Sequence, residues 1–286
     1  MSAIKFDLHC HSTASDGSLT PDELVQRAHE NGVTHLSITD HDTVAAYKQI
    51  DWKACPLTLI PGIEISSTWS KRGVHIVGLG IDLKSAAIAE AVQQQSLARQ
   101  LRAEKIAERL TKSGLRCPLE EVEQLAAGGQ LGRPHFARYL VASGQVKDSQ
   151  QAFKKYLGDG KPGDVKQHWA SLEQTVQWIL DAGGVAVLAH PLKYKLTRTK
   201  LLALVQDFKA LGGQAMEVVS GKQTPQESRK MADICQQSGL LASCGSDFHH
   251  PDTRWAELGM YSTLPSTVDT VFSHLDFSHQ NKAQLD

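Results

Sequence analysis

The chain has 286 residues, 41% of them hydrophobic, and a formal net charge of −1 at pH 7. This length suits one large domain or a domain with an insertion, and the near-neutral charge gives no global argument for binding long nucleic acid or a membrane surface. The amino-terminal residues lack the basic and apolar regions of a secretory signal, and no run of 18 apolar residues predicts a transmembrane helix. The five cysteines are scattered and form no CxxC, which favours reduced thiols in a cytoplasmic protein.

The first predicted element is a short strand, residues 4–9, which ends at the first histidine of "DLHCHSTASDG". His9 and His11 are two residues apart, so in an extended chain both side chains point to the same side. A shared metal ion would explain this spacing, although a His-x-His pair alone is equally compatible with two packing histidines. A carboxylate, Asp16, follows His11 by five residues.

Strand and helix patterns alternate through the next part of the chain and again near its end. A helix beginning near Pro21 precedes a strand at 35–40, and the strands at 57–66 and 73–82 are joined by a sequence that predicts a hairpin. Later strands are predicted at 184–190, 214–220 and 240–247, each after a helix, at 171–182, roughly 198–211 and roughly 224–238. The alternation predicts a mainly parallel α/β sheet, and about seven strands predict a distorted (β/α)7 TIM-like barrel.

Residues 86–164 carry no strand pattern and predict an all-helical insertion. A long helical pattern that ends at Gly114 is followed by "PLEEVEQLAA", "RPHFARYLVASG" and "DSQQAFKKYLG", which are separated by glycines. We therefore expect a metal-binding α/β barrel made of residues 1–85 and 165–286. The insertion is expected to cover its active site.

Histidines and carboxylates recur at the ends of the predicted strands, which is where α/β barrels carry functional residues. These residues are His9, His11, Asp40, His41, Glu64, His75, His190, Asp247 and His249. Mixed imidazole and carboxylate ligands suit Zn²⁺, Mn²⁺ or Fe²⁺. The set is too large for one four-coordinate ion, so it predicts two or three metal ions that share bridging carboxylates. Independent core histidines would require several coincidences at equivalent strand ends.

The motifs "DLHCHSTASDG", "TDHDT", "PGIEIS", "GVHIVG", "AHP" and "GSDFH" together resemble the polymerase and histidinol phosphatase family of metal-dependent phosphoesterases. They span residues 7–249, and the family fold is a (β/α)7 barrel. The resemblance implies one metal held by His9, His11, Glu64 and Asp247, a second held by Glu64, His75 and His190, and a third surrounded by Asp16, His41 and His249. Many relatives have histidine where this chain has Asp16, so Asp16 is either a metal ligand or a contact to substrate or water. Asp40 is expected to orient a ligand or bind a metal's water.

Within the insertion, "GRPHFARYL" resembles a bacterial subgroup that removes the 3′-phosphate of nucleoside 3′,5′-bisphosphates and is linked to 5′-to-3′ trimming of short RNA. The resemblance implies a nucleoside 5′-monophosphate product and two or three divalent ions, with Mn²⁺ favoured and Zn²⁺ or Fe²⁺ as alternatives. Paired metals can supply a metal-bound hydroxide that attacks phosphorus in line. The expected catalytic residues are Asp247, His190, His135 and Asp40.

A nucleotide bisphosphate also needs cations away from the metals, and arginine forks suit phosphate oxygens. The candidates are Arg99, Arg102, Arg133, Lys195, Arg198 and Lys222. Charges on helices usually face water, so each also has an ordinary surface interpretation. Arg133 stands at a helix start that could cap the barrel mouth, and Arg99 and Arg102, three apart, share a helix face. His135 could contact substrate and protonate the leaving 3′-oxygen, or it could be a packing histidine.

Several other functions remain open at this point. They are a histidinol-phosphate or other small phosphomonoester phosphatase, a nuclease on short RNA ends, an amidohydrolase or deacetylase, and a metal-binding module without turnover. No GxSxG or P-loop motif indicates a serine nucleophile or a nucleotide-binding P-loop. The expected partner is a nucleotide bisphosphate or short RNA substrate. Long duplex nucleic acid, a membrane and a protein partner are not implied.

Overall fold

The computed structural model describes residues 4–165, 169–253 and 255–275, and its strands form two sheets. The first sheet contains three short parallel strands, β1 (Phe6–Asp7), β2 (His35–Leu36) and β3 (Thr58–Leu59), paired in that order. The second contains β4 (Gly62–Trp69), β5 (Arg72–Leu79), β6 (Ala170–Ser171), β7 (Val185–Leu188), β8 (Ala215–Ser220) and β9 (Leu241–Gly245). Its spatial order is β6-β4-β5-β7-β8-β9. The expected barrel segment 165–286 includes residues 166–168, 254 and 276–286, which lie outside the described residues.

The predicted hairpin is present between β4 and β5, which pair antiparallel with Trp69 opposite Arg72 at the turn. The two turn residues, Ser70 and Lys71, both have positive φ (44° and 65°), as a tight two-residue connection of the I′ type requires. β5 is also antiparallel to β7, so this strand is the exception to the mainly parallel pairing that the sequence predicts. The two-residue turn before β5 reverses the chain, whereas parallel neighbours need a crossover. The expectation is confirmed for β1 to β3 and for β7 to β9.

The single strand predicted over residues 57–66 is interrupted at Pro61. Proline has no backbone N–H to donate to a ladder, and the chain passes at this point from β3 in the first sheet to β4 in the second. The two-residue strand β6 was not predicted. It pairs with the end of β4, with Ala170 opposite Ser67.

Backbone hydrogen bonds connect the two sheets at both edges. On one side Leu8 N donates to Cys244 O (3.2 Å), which joins β1 to β9. On the other side Asp42 N donates to Glu64 O (2.8 Å) and Glu64 N donates to Asp40 O (3.2 Å), which joins the segment after β2 to β4. The strand assignment therefore has two linked sheets, and the residues that follow β1, β2 and β9 meet near Glu64.

Eight α-helices lie within the described residues: α1 (Pro21–Glu30), α2 (Ala86–Lys112), α3 (Leu119–Ala126), α4 (Arg133–Ala142), α5 (Ser149–Ala152), α6 (Leu172–Asp181), α7 (Arg198–Ala210) and α8 (Pro225–Ser238). α1 begins as its sequence predicts. Thr20 accepts a hydrogen bond from Glu23 N (3.3 Å) through its hydroxyl, and the Glu23 carboxylate accepts one from Thr20 N (2.8 Å). Among the residues that the structure describes, no helix is both long and apolar enough to cross a membrane.

Residues 86–157, all of them described, form the helices α2 to α5 and contain no strand. α2 ends at the predicted glycine: Gly114 has φ 84°, and Leu115 N donates to Leu110 O (3.1 Å), which closes the helix in the manner that a left-handed glycine allows. These helices pack around a hydrophobic cluster of their own that includes Phe136. The helical segment therefore has a core distinct from that of the sheets.

The largest hydrophobic cluster lies between the second sheet and helices α6 to α8. It includes Ile76 of β5, Ile179 of α6 and Phe208 of α7. A second cluster joins α1 to the first sheet through Leu24 and Leu36. Burial of each such side chain stabilises the fold by about 1.5–3 kcal/mol, so the strand ends are held on a rigid base.

Candidate metal centre

The segment after β1 brings two imidazoles together, as the His-x-His spacing predicts. His9 Nε2 and His11 Nε2 lie 3.1 Å apart, and both side chains are buried. Each of these nitrogens is 3.3 Å from Glu64 Oε2. Cys10 points away, with its Sγ donating to Ser37 O (3.3 Å), because alternate residues of an extended chain face opposite sides.

Asp247 reaches the same point from the turn after β9. Its Oδ1 is 3.7 Å from His9 Nε2 and 3.5 Å from His11 Nε2. Asp247 has φ 54°, a left-handed conformation that aspartate tolerates, and its N–H donates to His9 O (2.8 Å). The four residues expected around the first metal are therefore adjacent, and Asp247 also forms an ion pair with Lys193.

Glu64 of β4 lies at the centre of the cluster and is fully buried. Its Oε1 is 2.8 Å from His75 Nδ1 and 2.9 Å from His190 Nε2, while Oε2 is 2.9 Å from His41 Nδ1. Burial opposes ionisation of this carboxyl, but His41, His75 and His9 outweigh it and hold the pKa of Glu64 well below its usual range. Glu64 is therefore an ionised carboxylate with both oxygens available between several ligands.

Asp16 forms a third group with the remaining histidines. One of its oxygens is 3.4 Å from His249 Nε2 and 3.9 Å from His11 Nδ1, and the other is 3.9 Å from His41 Nε2. Burial raises the pKa of Asp16, but His41 and His249 outweigh it and keep that pKa well below its usual range. The aspartate thus occupies a position where it can share a cation with three imidazoles.

The protonation of the histidines also suits a cation. Burial lowers the pKa of His11 well below its usual value and lowers that of His75 to about 4, so both are neutral and can offer a lone pair. For His9, burial is outweighed by the carboxylates of Glu217 and Glu64, and its pKa rises to about 10. The carboxylates around His9 therefore favour a positive charge at this point.

The donor set fits divalent metal ions. Three groups have ligand atoms within 4.8 Å of one another: His11, Asp16, His41 and His249; His9, His11 and Glu64; and His41, Glu64 and His75. Metal–ligand bonds of about 2.0–2.2 Å place neighbouring ligands roughly 3–3.5 Å apart, close to the separations in the cluster. Several buried polar atoms here lack a hydrogen-bond partner, namely His11 Nδ1, Asp16 Oδ1, His41 Nδ1, Glu64 Oε2 and His190 Nδ1. Bound cations would satisfy such atoms.

Asp40, expected to take part in catalysis, contacts the loop that carries the histidines. Its carboxylate accepts hydrogen bonds from Ser12 N (2.8 Å), Ser12 Oγ (2.6 Å) and Ser15 Oγ (2.6 Å). The side chain is buried. These three bonds hold the turn between His11 and Asp16 against the segment after β2.

Glu217 of β8 was not among the predicted site residues. It is 2% exposed, its Oε1 is 2.5 Å from His9 Nδ1, and its Oε2 accepts a hydrogen bond from His190 N (2.7 Å). The sequence signal is a lone glutamate within the apolar run "AMEVV", since an unpaired carboxylate is rarely buried.

The predicted cations after β7 and β8 lie on the surface. Lys195, Arg198 and Lys222 are exposed. Lys193, which was not predicted, forms the ion pair with Asp247. Sequence spacing could not distinguish Lys193 from Lys195, because both follow His190 in a 3-10 turn and its exit.

The arginines of the insertion have different surroundings. Arg99 is 5% exposed and donates through Nε to Asp42 Oδ2 (2.6 Å), through Nη2 to Ser66 Oγ (3.1 Å) and through Nη1 to Leu131 O (3.0 Å). Its fork is thus directed at a buried carboxylate of the segment after β2. Burial raises the pKa of Asp42, but the charge of Arg99 outweighs it and holds that pKa below its usual value. The Arg99–Asp42 pair ties α2 to the segment after β2, and the bond to Ser66 ties it to β4.

Arg102, one turn further along α2, has no such partner. Its Nε is buried without a hydrogen bond, and its guanidinium carbon lies 5.5 Å from the ring centre of Trp169. Burial, followed by the nearby charges of Arg133 and Arg99, lowers the pKa of Arg102 to about 9. Arg133 donates to Leu157 O (3.1 Å) through Nη1. Two cations therefore stand close together, and the carboxylates of Asp164 and Asp42 offset their effect on the pKa of Arg102 only in part.

His135 lies at the first turn of α4 and is buried. Its Nδ1 accepts a hydrogen bond from Gly132 N (3.1 Å), which leaves the proton of the neutral ring on Nε2. Burial and then Arg138 lower the pKa of His135 to about 4. Arg138, which was not predicted, has a buried Nη2 without a hydrogen-bond partner. Its spacing of three from His135 places both on one helix face, and this could have identified it.

The insertion touches the loop of the metal cluster. Gln130 N donates to Ala14 O (3.0 Å), and Gln130 Nε2 donates to Ser96 Oγ (2.6 Å). A methyl group at Gly132 would lie 3.6 Å from Asp16 Oδ2. The start of α4 is therefore adjacent to the group formed by Asp16.

Comparison with known proteins agrees with this site. A family model described as the PHP domain matches residues 7–181. The 5′-3′ exoribonuclease Rnm of Escherichia coli (strain K12) is 46% identical over 274 residues, covering 94% of this chain and 93% of that protein. The 3′,5′-nucleoside bisphosphate phosphatase of Chromobacterium violaceum is 39% identical over 273 residues, covering 94% and 96%. A solved structure of an amidohydrolase from Chromobacterium violaceum with bound SO4 and no metal has a TM-score of 0.87 at 39% identity, covering 95% of each chain.

Proposed function

The chain belongs to the PHP domain family and is a hydrolase of phosphoric esters, and we propose that it removes the 3′-phosphate of nucleoside 3′,5′-bisphosphates to leave nucleoside 5′-monophosphates. The observation that carries this substrate is the pair Arg102 and Arg133, two neighbouring cations of the insertion, of which Arg102 has a buried Nε without a hydrogen-bond partner among the described residues. A monoester would need only the metals. A bisphosphate needs a second anion site, and this pair supplies one.

The proposed ligands are His9, His11, Asp16, His41, Glu64, His75, His190, Asp247 and His249, holding two or three divalent ions, with Mn²⁺ favoured over Zn²⁺ or Fe²⁺. Bound ions would activate water and neutralise charge on the phosphoryl oxygens. Glu64 would bridge two positions, since its two oxygens face different histidines. Asp16 is a ligand in this proposal, because three imidazoles lie within 3.9 Å of its oxygens.

The proposed architecture is a distorted (β/α)7 barrel, made of residues 1–85 and 165–286, with the insertion 86–164 over its mouth. The bonds that link the two sheets support closure. The hydrogen bond from Gln130 N to Ala14 O supports the position of the insertion. The cytoplasmic location expected from the cysteines stays a prediction.

We assign the 5′-phosphate to Arg102 and Arg133. Leaving a buried donor such as Arg102 Nε unpaired costs about 1–3 kcal/mol, and a phosphate oxygen would remove that cost. An anion between the two guanidinium groups would also relieve their mutual repulsion. Arg99 is not part of this contact in our proposal, since Asp42 already neutralises it.

His135 is assigned to the leaving 3′-oxygen. A neutral ring whose Nδ1 accepts from Gly132 can donate its Nε2 proton to an oxygen that gains charge as the P–O bond breaks. The low pKa of His135 means that it acts as a neutral donor near pH 7 and not as an imidazolium. Arg138 lies on the same face of α4, and its positive charge would stabilise the negative charge that develops on the leaving 3′-oxygen.

Trimming of short RNA from the 5′ end is a second activity that the same site could perform. A nucleotide joined at the 3′ position is also a 3′-phosphoester, and a relative at 46% identity is named a 5′-3′ exoribonuclease. A 5′-phosphorylated end would occupy the arginine pair as the mononucleotide does. The near-neutral net charge argues for short substrates, because long nucleic acid is bound through many cationic contacts.

The test is phosphate release by the Mn²⁺-loaded protein from adenosine 3′,5′-bisphosphate, 3′-AMP, 5′-AMP and histidinol phosphate, beside a 5′-phosphorylated RNA trimer. We expect the bisphosphate to have the highest kcat/KM and to yield 5′-AMP, with mononucleotide release from the trimer. Preference for histidinol phosphate, or equal use of 3′-AMP and the bisphosphate, would contradict the proposed 5′-phosphate contact. Hydrolysis of none of these esters would contradict the proposed reaction itself.

A further inference from the structure

Glu217 is a buried carboxylate that contacts two of the proposed ligands through its two oxygens. Oε1 is 2.5 Å from His9 Nδ1, and Oε2 accepts a hydrogen bond from His190 N (2.7 Å). Its neighbours in β8, Met216 and Val218, are apolar and fully buried. An ionised group in such surroundings needs partners of this strength to be tolerated, so its place in the strand indicates a specific task.

We propose that Glu217 is a positioning residue that prepares His9 and His190 together for metal binding. The inference rests on the proposed metal centre and extends it from the ligands to the group that orients them. Glu217 touches neither substrate nor metal in this assignment. It acts through two histidines that belong to two different metal positions.

The first action is on the tautomer of His9. A carboxylate can only accept, so the bond to Oε1 requires the Nδ1 proton of His9. When a metal displaces the Nε2 proton, the lone pair on that nitrogen faces His11, Glu64 and Asp247, at 3.1, 3.3 and 3.7 Å. Carboxylate partners of metal-binding histidines commonly fix the ring in this way.

The second action is on the backbone of His190. This residue has φ 27° and ψ 59°, a conformation that residues with a β-carbon rarely adopt, and Pro191 follows it. The bond from His190 N to Glu217 Oε2 holds the chain in that turn. In this turn His190 Nε2 lies 2.9 Å from Glu64 Oε1. Without an acceptor at this place the imidazole would have no fixed direction toward Glu64.

A glutamine at position 217 cannot replace both contacts. Its amide has one accepting oxygen and an NH2 group that only donates. If the oxygen accepts from His190 N, the NH2 group faces His9 Nδ1, which forces the proton to Nε2 and blocks that ligand. If the oxygen accepts from His9, the NH2 group faces His190 N, and the turn is lost. Either orientation damages one metal position.

The experiment measures metal binding by Glu217→Gln and Glu217→Asp against wild type and the control Glu173→Gln, an exposed glutamate in the first turn of α6. Metal per chain is determined by mass spectrometry after loading and gel filtration, and the Mn²⁺ affinity by competition with a chelator. We expect 10–100-fold weaker binding for Glu217→Gln, the range known for outer partners of metal ligands. Glu217→Asp should also bind weakly, because it keeps the charge but is too short to reach both histidines.

The outcomes separate the inference from the proposed function. A wild-type protein that binds no divalent ion would overturn the metal centre. Normal metal binding by both Glu217 variants, with wild-type binding intact, would overturn the role of Glu217 and leave the metal centre standing. Wild-type affinity for Glu217→Asp alone would show that charge, not simultaneous reach, is what matters, and would also overturn the proposal.

A measurement on the unaltered protein covers the case in which both variants fail to fold. In the Zn²⁺-loaded wild type, long-range ¹H–¹⁵N spectra of labelled histidines report which ring nitrogen carries the proton. We expect His9 to be protonated at Nδ1. Protonation of His9 at Nε2 would overturn the proposal without any substitution.

Discussion

The metal cluster and the cationic helices of the insertion contain charged side chains of similar density but opposite surroundings. In the cluster, Glu64 lies within 4 Å of five imidazoles and Asp16 within 4 Å of three. On α2, Arg99 is paired with Asp42, whereas Arg102, three residues later, has a buried nitrogen without any partner. The cluster is organised to hold cations, and Arg102 is one of the two arginines that we propose to bind the 5′-phosphate. A paired charge supports the structure, and an unpaired buried charge indicates a missing ligand.

The largest effect is expected from Asp247→Asn, which removes one anionic oxygen from the first metal position. Loss of even an outer partner of a metal ligand lowers metal affinity or activity about 10–100-fold. Loss of this carboxylate should therefore reduce kcat by more than about 100-fold and remove at least one ion per chain. Metal analysis and phosphate release measure both. Asp252→Asn, in the exposed stretch that follows, is the control and should match wild type. Full metal content at a normal rate would disprove the ligand assignment of Asp247.

Next in size is the effect of Arg99→Met on stability. The substitution leaves Asp42 as an uncompensated buried carboxylate, which typically costs about 3–5 kcal/mol. Urea denaturation followed by circular dichroism measures the free energy of unfolding. The folded fraction should lose activity toward 3′-AMP and the bisphosphate by the same factor. A selective loss on the bisphosphate would instead make Arg99 a substrate contact.

Arg102→Ala should lose activity toward the 3′,5′-bisphosphate selectively. Removing one charge-assisted hydrogen bond costs about 1.5–3 kcal/mol, so kcat/KM for the 3′,5′-bisphosphate should fall about 10–100-fold, with little change for 3′-AMP. Arg133→Ala should behave in the same way. Arg109→Ala on the exposed side of α2 is the matched control, since its side chain donates only to Asp164 O within the described contacts. An equal loss on both substrates would count against a 5′-phosphate contact.

The smallest effect concerns pH. The folded pKa of Asp42 is depressed below its unfolded value of about 3.9, so the stability it contributes is present above about pH 4 and is lost as pH falls through the folded pKa. The free energy of unfolding should therefore decline more steeply below pH 4 in wild type than in Asp42→Asn. Urea titrations between pH 2.5 and 6 measure the two slopes, with Glu173→Gln expected to follow wild type. Parallel slopes for wild type and Asp42→Asn would show that the ion pair is not formed.

Prediction from sequence succeeded where local chemistry decides the outcome. Thr20 and Pro21 begin α1, and Gly114 ends α2, because cap residues satisfy the backbone groups next to them. Prediction from sequence failed where the outcome depends on which strands, distant in the sequence, pair with each other. The antiparallel position of β5 depends on how a hairpin joins a parallel sheet, and the two-residue strand β6 exists only because the chain returns beside the end of β4.

The site shows the same division. The clustering of His9, His11, Glu64 and Asp247 follows from the sequence, because residues at strand exits of an α/β sheet are brought to one edge by the topology. The position of Glu217 in the site does not follow from the sequence. A glutamate within a strand faces the site only if β8 lies beside β7 and β9 with its present register.

For the cations the sequence by itself determined that arginines and lysines are available near the insertion and after β7. Only the tertiary structure decided that Arg99 pairs with Asp42 while Arg102 Nε has no hydrogen-bond partner in the described part of the chain, and that Lys193 pairs with Asp247. The physical reason is that a long side chain on a helix or turn can take many directions. Its partner is chosen by the packing of the element that carries it, and residue spacing does not encode that packing.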